Sequence, residues 1–89
     1  MKALRRTAQF KVDLRCQKKR GKDLEKLKRV IEDLISGRTL SRDYRDHQLI
    51  GKYRGTRECH IEPDWLLIYE KTTDEIILIR TGSHTDLFQ

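Results

Sequence analysis

The residues able to carry chemistry fall in the second half of this 89-residue chain: His47, His60, Asp64, Trp65, Arg80, His84 and Phe88. Histidine titrates near neutral pH, so one imidazole can accept a proton while a second donates one. Cleavage of RNA without a metal requires that pair. A base takes the proton of a ribose 2′-OH, which attacks the adjacent phosphorus, and an acid protonates the departing 5′-oxygen. A cation must hold the negative charge that builds on the phosphorane, and the fixed, always-charged fork of Arg80 suits that task. Only RNA has the 2′-OH, so this chemistry selects RNA over DNA.

Each residue also has a plainer reading. His60 lies in a strand-like run and can be a hydrogen-bonded structural histidine. Asp64 follows Pro63, and Pro-Asp is first of all a turn pair. Trp65 and Tyr69 can roof a sheet, Arg80 can pair with Glu58 or Glu62, and Phe88 can simply pack. Three histidines and an aspartate could ligate zinc, but they lack the short paired spacing of structural or HExxH sites. No metal or other cofactor is therefore expected. Cys59 falls on the expected core face, which argues against a Cys–His nucleophile, and with Cys16 it forms no CxxC pair.

Composition bounds the class. The length suits one domain, residues 1–89, with a single modest core. With 36% hydrophobic and 38% charged residues, the chain reads as folded and soluble rather than disordered. No apolar run approaches the ~20 residues a membrane span needs. The N-terminal residues show no apolar signal core, so a cytoplasmic location is expected, with no membrane partner. The charge is unevenly spread: residues 1–54 hold 17 Lys and Arg against 7 Asp and Glu, and residues 55–89 hold 3 against 7. A basic half of this kind favours a polyanionic partner; its plainer reading is a solvated helical surface.

The elements that must position these groups follow from periodicity. Ala3 and Leu4 suit a short edge strand. Phe10, Val12, Leu14 and Cys16 alternate like a strand, yet Phe10/Leu14 and Val12/Cys16 are also i,i+4 pairs. The run Gln17–Arg20 favours helix, with Thr7 as N-cap and Gly21 beyond the C-terminus. A second helix starts at Asp23, carries Leu24, Leu27, Val30, Ile31, Leu34 and Ile35 on one face, and stops at Gly37. Residues 38–55 show no sustained period. They hold His47, Arg45, Lys52, Arg54, Tyr44 and Tyr53, cations and aromatics suited to RNA phosphates and bases.

Three strands are expected at about 56–62, 65–71 and 76–82. If Pro63-Asp64 centres the first turn, His60 faces Leu67. If Thr73-Asp74 centres the second, Tyr69 faces Leu78 and Leu67 faces Arg80. One face then carries Cys59, Ile61, Leu66, Ile68, Ile77 and Ile79, ready to take both helices. The other carries Glu58, His60, Trp65, Leu67, Tyr69, Leu78 and Arg80, with His60 and Arg80 in one row. The tail delivers His84 and Phe88, one helical turn apart. The fold class is α+β: a helical hairpin on one face of an antiparallel sheet.

Three strings, Arg45-Asp46-His47-Gln48-Leu49-Ile50-Gly51, Arg57 through Trp65, and Arg80-Thr81-Gly82-Ser83-His84 with Leu87-Phe88, resemble the YafQ branch of the RelE/ParE toxin superfamily. So does Lys22-Asp23-Leu24-Glu25-Lys26-Leu27, which makes the resemblance nearly full length. It implies a RelE-like fold and a toxin of a type II toxin–antitoxin pair that cuts mRNA on the ribosome. It also implies a cognate antitoxin as partner. By position, His47, His60, Asp64, Trp65, Arg80, His84 and Phe88 match the family's active-site residues, and Glu58 stands where a relative can have aspartate. The implied roles are His84 as acid, His60 or His47 with Asp64 as base and orienter, and Arg80 on the phosphate. Phe88 or Trp65 would lie against a base. A non-enzymatic inhibitor like the ParE branch, or a ribosome- or RNA-binding module, is the competing reading. Lined-up proton carriers argue against the inhibitor, and the binding module predicts salt-sensitive RNA binding with no 2′,3′-cyclic phosphate product.

Overall fold

The structure, a computed structural model, describes residues 1–88. An edge strand β1 (Ala3–Arg6) leads into helix α1 (Ala8–Lys19), whose first turn is closed by the Thr7 hydroxyl accepting from the Phe10 amide at 3.0 Å. Gly21 takes φ +82° just past the helix end, a conformation that costs glycine little. Helix α2 (Leu24–Ile35) is capped by Asp23 and released at Gly37, φ +78°. Both helices thus begin and end at the expected residues.

Residues 38–55 are more structured than their sequence suggests. Two single 3₁₀ turns, Arg42–Tyr44 and Gly51–Tyr53, bracket a two-residue strand β2 (His47–Gln48). Asp46 anchors the segment, accepting from Tyr69 Oη at 2.7 Å and from Arg57 at 3.2 and 3.3 Å. Strands β3 (Arg57–Glu62), β4 (Trp65–Lys71) and β5 (Glu75–Gly82) form the meander, and α3 (His84–Phe88) follows. The sheet order is β1-β5-β4-β3-β2. It is mixed rather than antiparallel, because β1 pairs with β5 in parallel, Ala3 opposite Glu75. A parallel pair needs a long connection, and everything from α1 to β4 supplies it.

The expected register is corrected in two places. Tyr69 does face Leu78, and Glu62 pairs with Trp65 at the turn, but His60 faces Leu66, and Arg80 faces Ile68, not Leu67. Ile61 and Ile79 are left without partners directly across, the mark of β-bulges. The first bulge exchanges the faces of β4. Trp65, Leu67 and Tyr69 therefore join Cys59, Ile61, Ile76 and Leu78 against Phe10, Leu27, Val30 and Leu34 of the helices. Leu66 and Ile68 turn to the opposite face, where Leu87 of α3, Leu49, Tyr53 and Ile79 cover them. The second bulge returns Arg80 to the His60 side, two residues along from the expected row. Burying each large side chain of this kind contributes about 1.5–3 kcal/mol. Among the described residues, no helix is long and apolar enough to cross a membrane.

Candidate active site

The sheet face opposite the helices collects the three histidines. His47 comes from β2, His60 from β3 and His84 from the start of α3. Their ring centroids form a row, 6.4 Å from His47 to His60 and 5.7 Å from His60 to His84, and Phe88 extends it at 6.5 Å from His84. The outer rings are half exposed, at 50% for His47 and 53% for His84, whereas His60 is only 12% exposed. A substrate therefore meets the two ends of the row first.

Each end has its own carboxylate. Asp64 Oδ1 lies 2.7 Å from His84 Nδ1 and also accepts the His84 amide at 2.9 Å. Those two hydrogen bonds, the backbone one first, hold the Asp64 carboxyl below its usual range. At the other end, Glu58 Oε2 lies 3.3 Å from His47 Nε2 and 3.5 Å from His60 Nε2. The expectation that Asp64 orients His47 or His60 is thus corrected: Asp64 serves His84, and Glu58 serves the other two. Glu58 is 5% exposed, and its second oxygen, Oε1, has no hydrogen-bond partner among the described residues. Burying a carboxylate so sparsely paired costs stability.

The hydrogen bonds fix how the two outer rings are oriented, with His47 Nε2 beside Glu58 and His84 Nε2 unbonded among the described residues. His47 Nδ1 is 2.6 Å from the Arg45 carbonyl, an acceptor only, so Nδ1 carries the proton and Nε2 is the nitrogen left to exchange one. His84 Nδ1 likewise donates to Asp64, leaving its Nε2 free. Arg45 sits in the left-handed region (φ 48°, ψ 43°), uncommon for a side chain of this size, and that local geometry aims its carbonyl at His47.

Arg80 reaches the site already engaged. Its Nε and Nη2 donate to Asp13 of α1 at 2.8 and 3.1 Å, and its Nη1 donates to Tyr53 Oη at 3.4 Å. Of the five guanidinium N–H groups, two remain for a ligand. Asp13 pushes the Arg80 pKa further up, keeping it charged. Asp13 also accepts the Thr81 amide at 3.2 Å, and Tyr53 donates to the Leu87 carbonyl at 3.4 Å while meeting Phe88 edge-on at 5.6 Å. One network therefore joins α1, the Gly51–Tyr53 turn, β5 and α3.

Trp65 departs from the expected site. It has no exposed surface, packs against the helices, and donates through Nε1 to Thr81 Oγ1 at 3.0 Å, so its ring is not free to stack on a base. Phe88, 48% exposed at the end of the row, is free to do so. Arg45, Lys52 and Arg54 are exposed and form no ion pair among the described residues. Asp13 is the functional residue the sequence hid. It shares the buried face of α1 with Phe10 and Gln17, and a charged residue at core spacing is the one signal that marks it. Among the described residues no group of three His, Cys, Asp or Glu side chains is arranged to hold a metal ion.

The family described as "Bacterial toxin of type II toxin-antitoxin system, YafQ" matches residues 2–89. The chain is 41% identical over 83 residues to the mRNA interferase toxin YafQ of Escherichia coli K12, covering 92% of this chain and 90% of that one. Among solved structures, the E. coli DinJ–YafQ complex matches with a TM-score of 0.93 at 38% identity over the whole of both chains. A metal-bound toxin from Helicobacter pylori matches with a TM-score of 0.92 at 37% identity, over 99% of this chain and all of that one.

Proposed function

The chain belongs to the YafQ family of type II toxins, and we propose that it is an endoribonuclease that cuts mRNA on the translating ribosome. Neutralisation by a cognate antitoxin is part of the same proposal, by analogy with the DinJ–YafQ complex. The observation that carries the reading is the row of imidazoles with a separate carboxylate at each end. A binding protein has no need of proton carriers so arranged.

His47 is the base. Its Nε2 takes the 2′-OH proton, and the adjacent Glu58 oxygen stabilises the imidazolium that results. His84 is the acid. Asp64 stabilises its protonated form, and the unbonded Nε2–H goes to the 5′-oxygen of the leaving nucleotide. His60, between them, and the two free N–H groups of Arg80 hold the non-bridging phosphate oxygens as charge grows on them. Phe88 offers its face to a neighbouring base.

The helical hairpin supports ribosome dependence. Lys11, Arg15, Lys18, Lys19, Lys28 and Arg29 are exposed and form no ion pair among the described residues, a field suited to ribosomal RNA. The ribosome then supplies the positioning that an open, shallow site does not. The test is mRNA cleavage in a purified translation reaction with wild type and His84→Ala side by side. Wild type leaves 2′,3′-cyclic phosphate ends, and the variant is slower by roughly 10²–10⁴-fold, the usual contribution of a positioned acid. Intact messages after incubation with folded wild-type protein would refute the reading.

A further inference from the structure

The catalytic row leaves one adjoining cleft without a role. Beside His60 the surface opens into a space of about 390 Å³ lined by Ser41, Asp43, Tyr44, Arg45, His60 and Pro63. That volume lies within the range of small-ligand sites, about 300–1,000 Å³. The cleft and the row share His60 as a wall. They also share a support, since the Arg45 carbonyl that fixes His47 belongs to the turn that forms the cleft.

Two of its charged side chains are uncommitted, while Glu62, which also lines it, is held by Lys22 and Lys26, and the Ser41 hydroxyl accepts the Asp43 amide. The neighbouring carboxylates are all paired: Asp46 with Arg57 and Tyr69, Glu62 with Lys22 and Lys26, and Asp64 with His84. The Asp43 carboxylate and the Arg45 guanidinium form no hydrogen bond or ion pair among the described residues. An unpaired carboxylate beside a phosphate-cleaving row repels the backbone of RNA. It accepts well, however, from the N–H groups on a base edge. The exposed Arg45 guanidinium is a flat surface of the kind on which single-stranded RNA bases stack, and Tyr44, packed against the core, backs the turn that carries it.

We propose that this cleft is a nucleobase subsite for the mRNA nucleotide next to the scissile phosphate, with Asp43 selecting a base that carries an exocyclic amino group. Guanine offers two adjacent N–H donors that match the two carboxylate oxygens, and adenine and cytosine each offer an amino group. Uracil has only N3–H, flanked by two carbonyl oxygens that face the carboxylate unfavourably. The proposal deepens, and rests on, the ribonuclease reading.

The test has two arms. In the first, 5′-AMP, CMP, GMP and UMP are titrated into the isotope-labelled toxin, wild type and Asp43→Asn, and amide shifts are followed by NMR without ribosomes. Wild type shows shifts at residues 41–45 and 60–62 that are roughly tenfold weaker with UMP than with the other three, the scale of one good base-edge contact. In Asp43→Asn, whose spectrum also reports its folding, that difference disappears. Equal shifts with all four nucleotides, or shifts confined to the basic helices, overturn the inference. In the second arm, cut sites are mapped on translated messages. Asp43→Asn changes which nucleotide flanks the cut, and an unchanged profile overturns the subsite while leaving the ribonuclease standing. Base-selective shifts in a protein that cleaves nothing would instead sink the ribonuclease reading and keep the subsite.

Discussion

Asp13→Asn removes the charge that holds Arg80 while keeping size and one acceptor oxygen. In the folded protein the Asp13 side chain is 9% exposed and the Arg80 side chain 22% exposed, so the pair is mostly shielded from water. Deleting one partner of a fully buried pair costs about 3–5 kcal/mol. Partial exposure of Arg80 and the retained neutral hydrogen bond reduce this to about 2 kcal/mol. For a domain of this size, that lowers Tm by about 8–16 °C. With a urea m-value of about 1 kcal/mol/M, the midpoint falls by about 2 M. Activity falls separately, by roughly tenfold or more, because a freed guanidinium no longer holds its position at the phosphate. Urea denaturation and the translation-coupled cleavage assay are run on wild type, Asp13→Asn and the double variant Asp13→Asn/Arg80→Met, which keeps an acceptor oxygen for the Thr81 amide. The double variant regains most of the stability, since no buried charge is left unpaired, and none of the activity. An Asp13→Asn midpoint within about 0.5 M of wild type would refute the ion-pair reasoning. Full cleavage by the double variant would remove Arg80 from the mechanism.

In native protein one thiol, the exposed Cys16, reacts with a disulfide reagent, and Cys59 stays protected until the chain unfolds, because burial pushes its pKa well above the normal range. Two thiols reacting at equal rates before unfolding would contradict the buried core face of β3. The Arg20 guanidinium and the Ser83 amide hold the Asp86 carboxyl far below its usual range. That pairing stabilises the fold above the unfolded-state pKa of about 3.9 and is lost as pH falls further. Asp86→Asn is accordingly less stable than wild type at neutral pH by about 1 kcal/mol, and the gap closes below about pH 4; a gap that persists under acid would refute the assignment. Under the proposed acid/base chemistry, a chelator selective for transition metals that spares magnesium leaves cleavage unchanged, measured as cut message per ribosome. Loss of cleavage restored by a transition metal would overturn the acid/base account.

The sequence showed the helices because their signals are local. Thr7 and Asp23 cap, Gly21 and Gly37 stop, and α2 keeps its apolar face at helical spacing. The histidines were legible for a different reason, that their residue types are rare and chemically specific. The register was not. Trp65 through Tyr69 are all buried, since helices cover one face of β4 while α3 and the residues around Leu49 and Tyr53 cover the other. A strand buried on both sides has no alternation to read, so its sequence is as compatible with a one-residue slip as with the true pairing. Ile61 and Ile79 suit either face and gave no sign of the bulges. Asp13 stayed hidden because its partner lies 67 residues away and only the tertiary fold joins them.

The parallel pairing of β1 with β5 also sets when this protein can act. Ala3 to Arg6 are made some seventy residues before their partners, Glu75 to Leu78, and His84 lies beyond those. While the chain is being synthesised, β1 has no strand to join, and Asp13 has no Arg80 to hold. The helical hairpin can emerge and coil, yet the sheet cannot close and the imidazole row cannot assemble until β5 and α3 have left the exit tunnel. The toxin fold is therefore incomplete until its last strand and helix have been made, and any protein meant to restrain it has that interval in which to be ready.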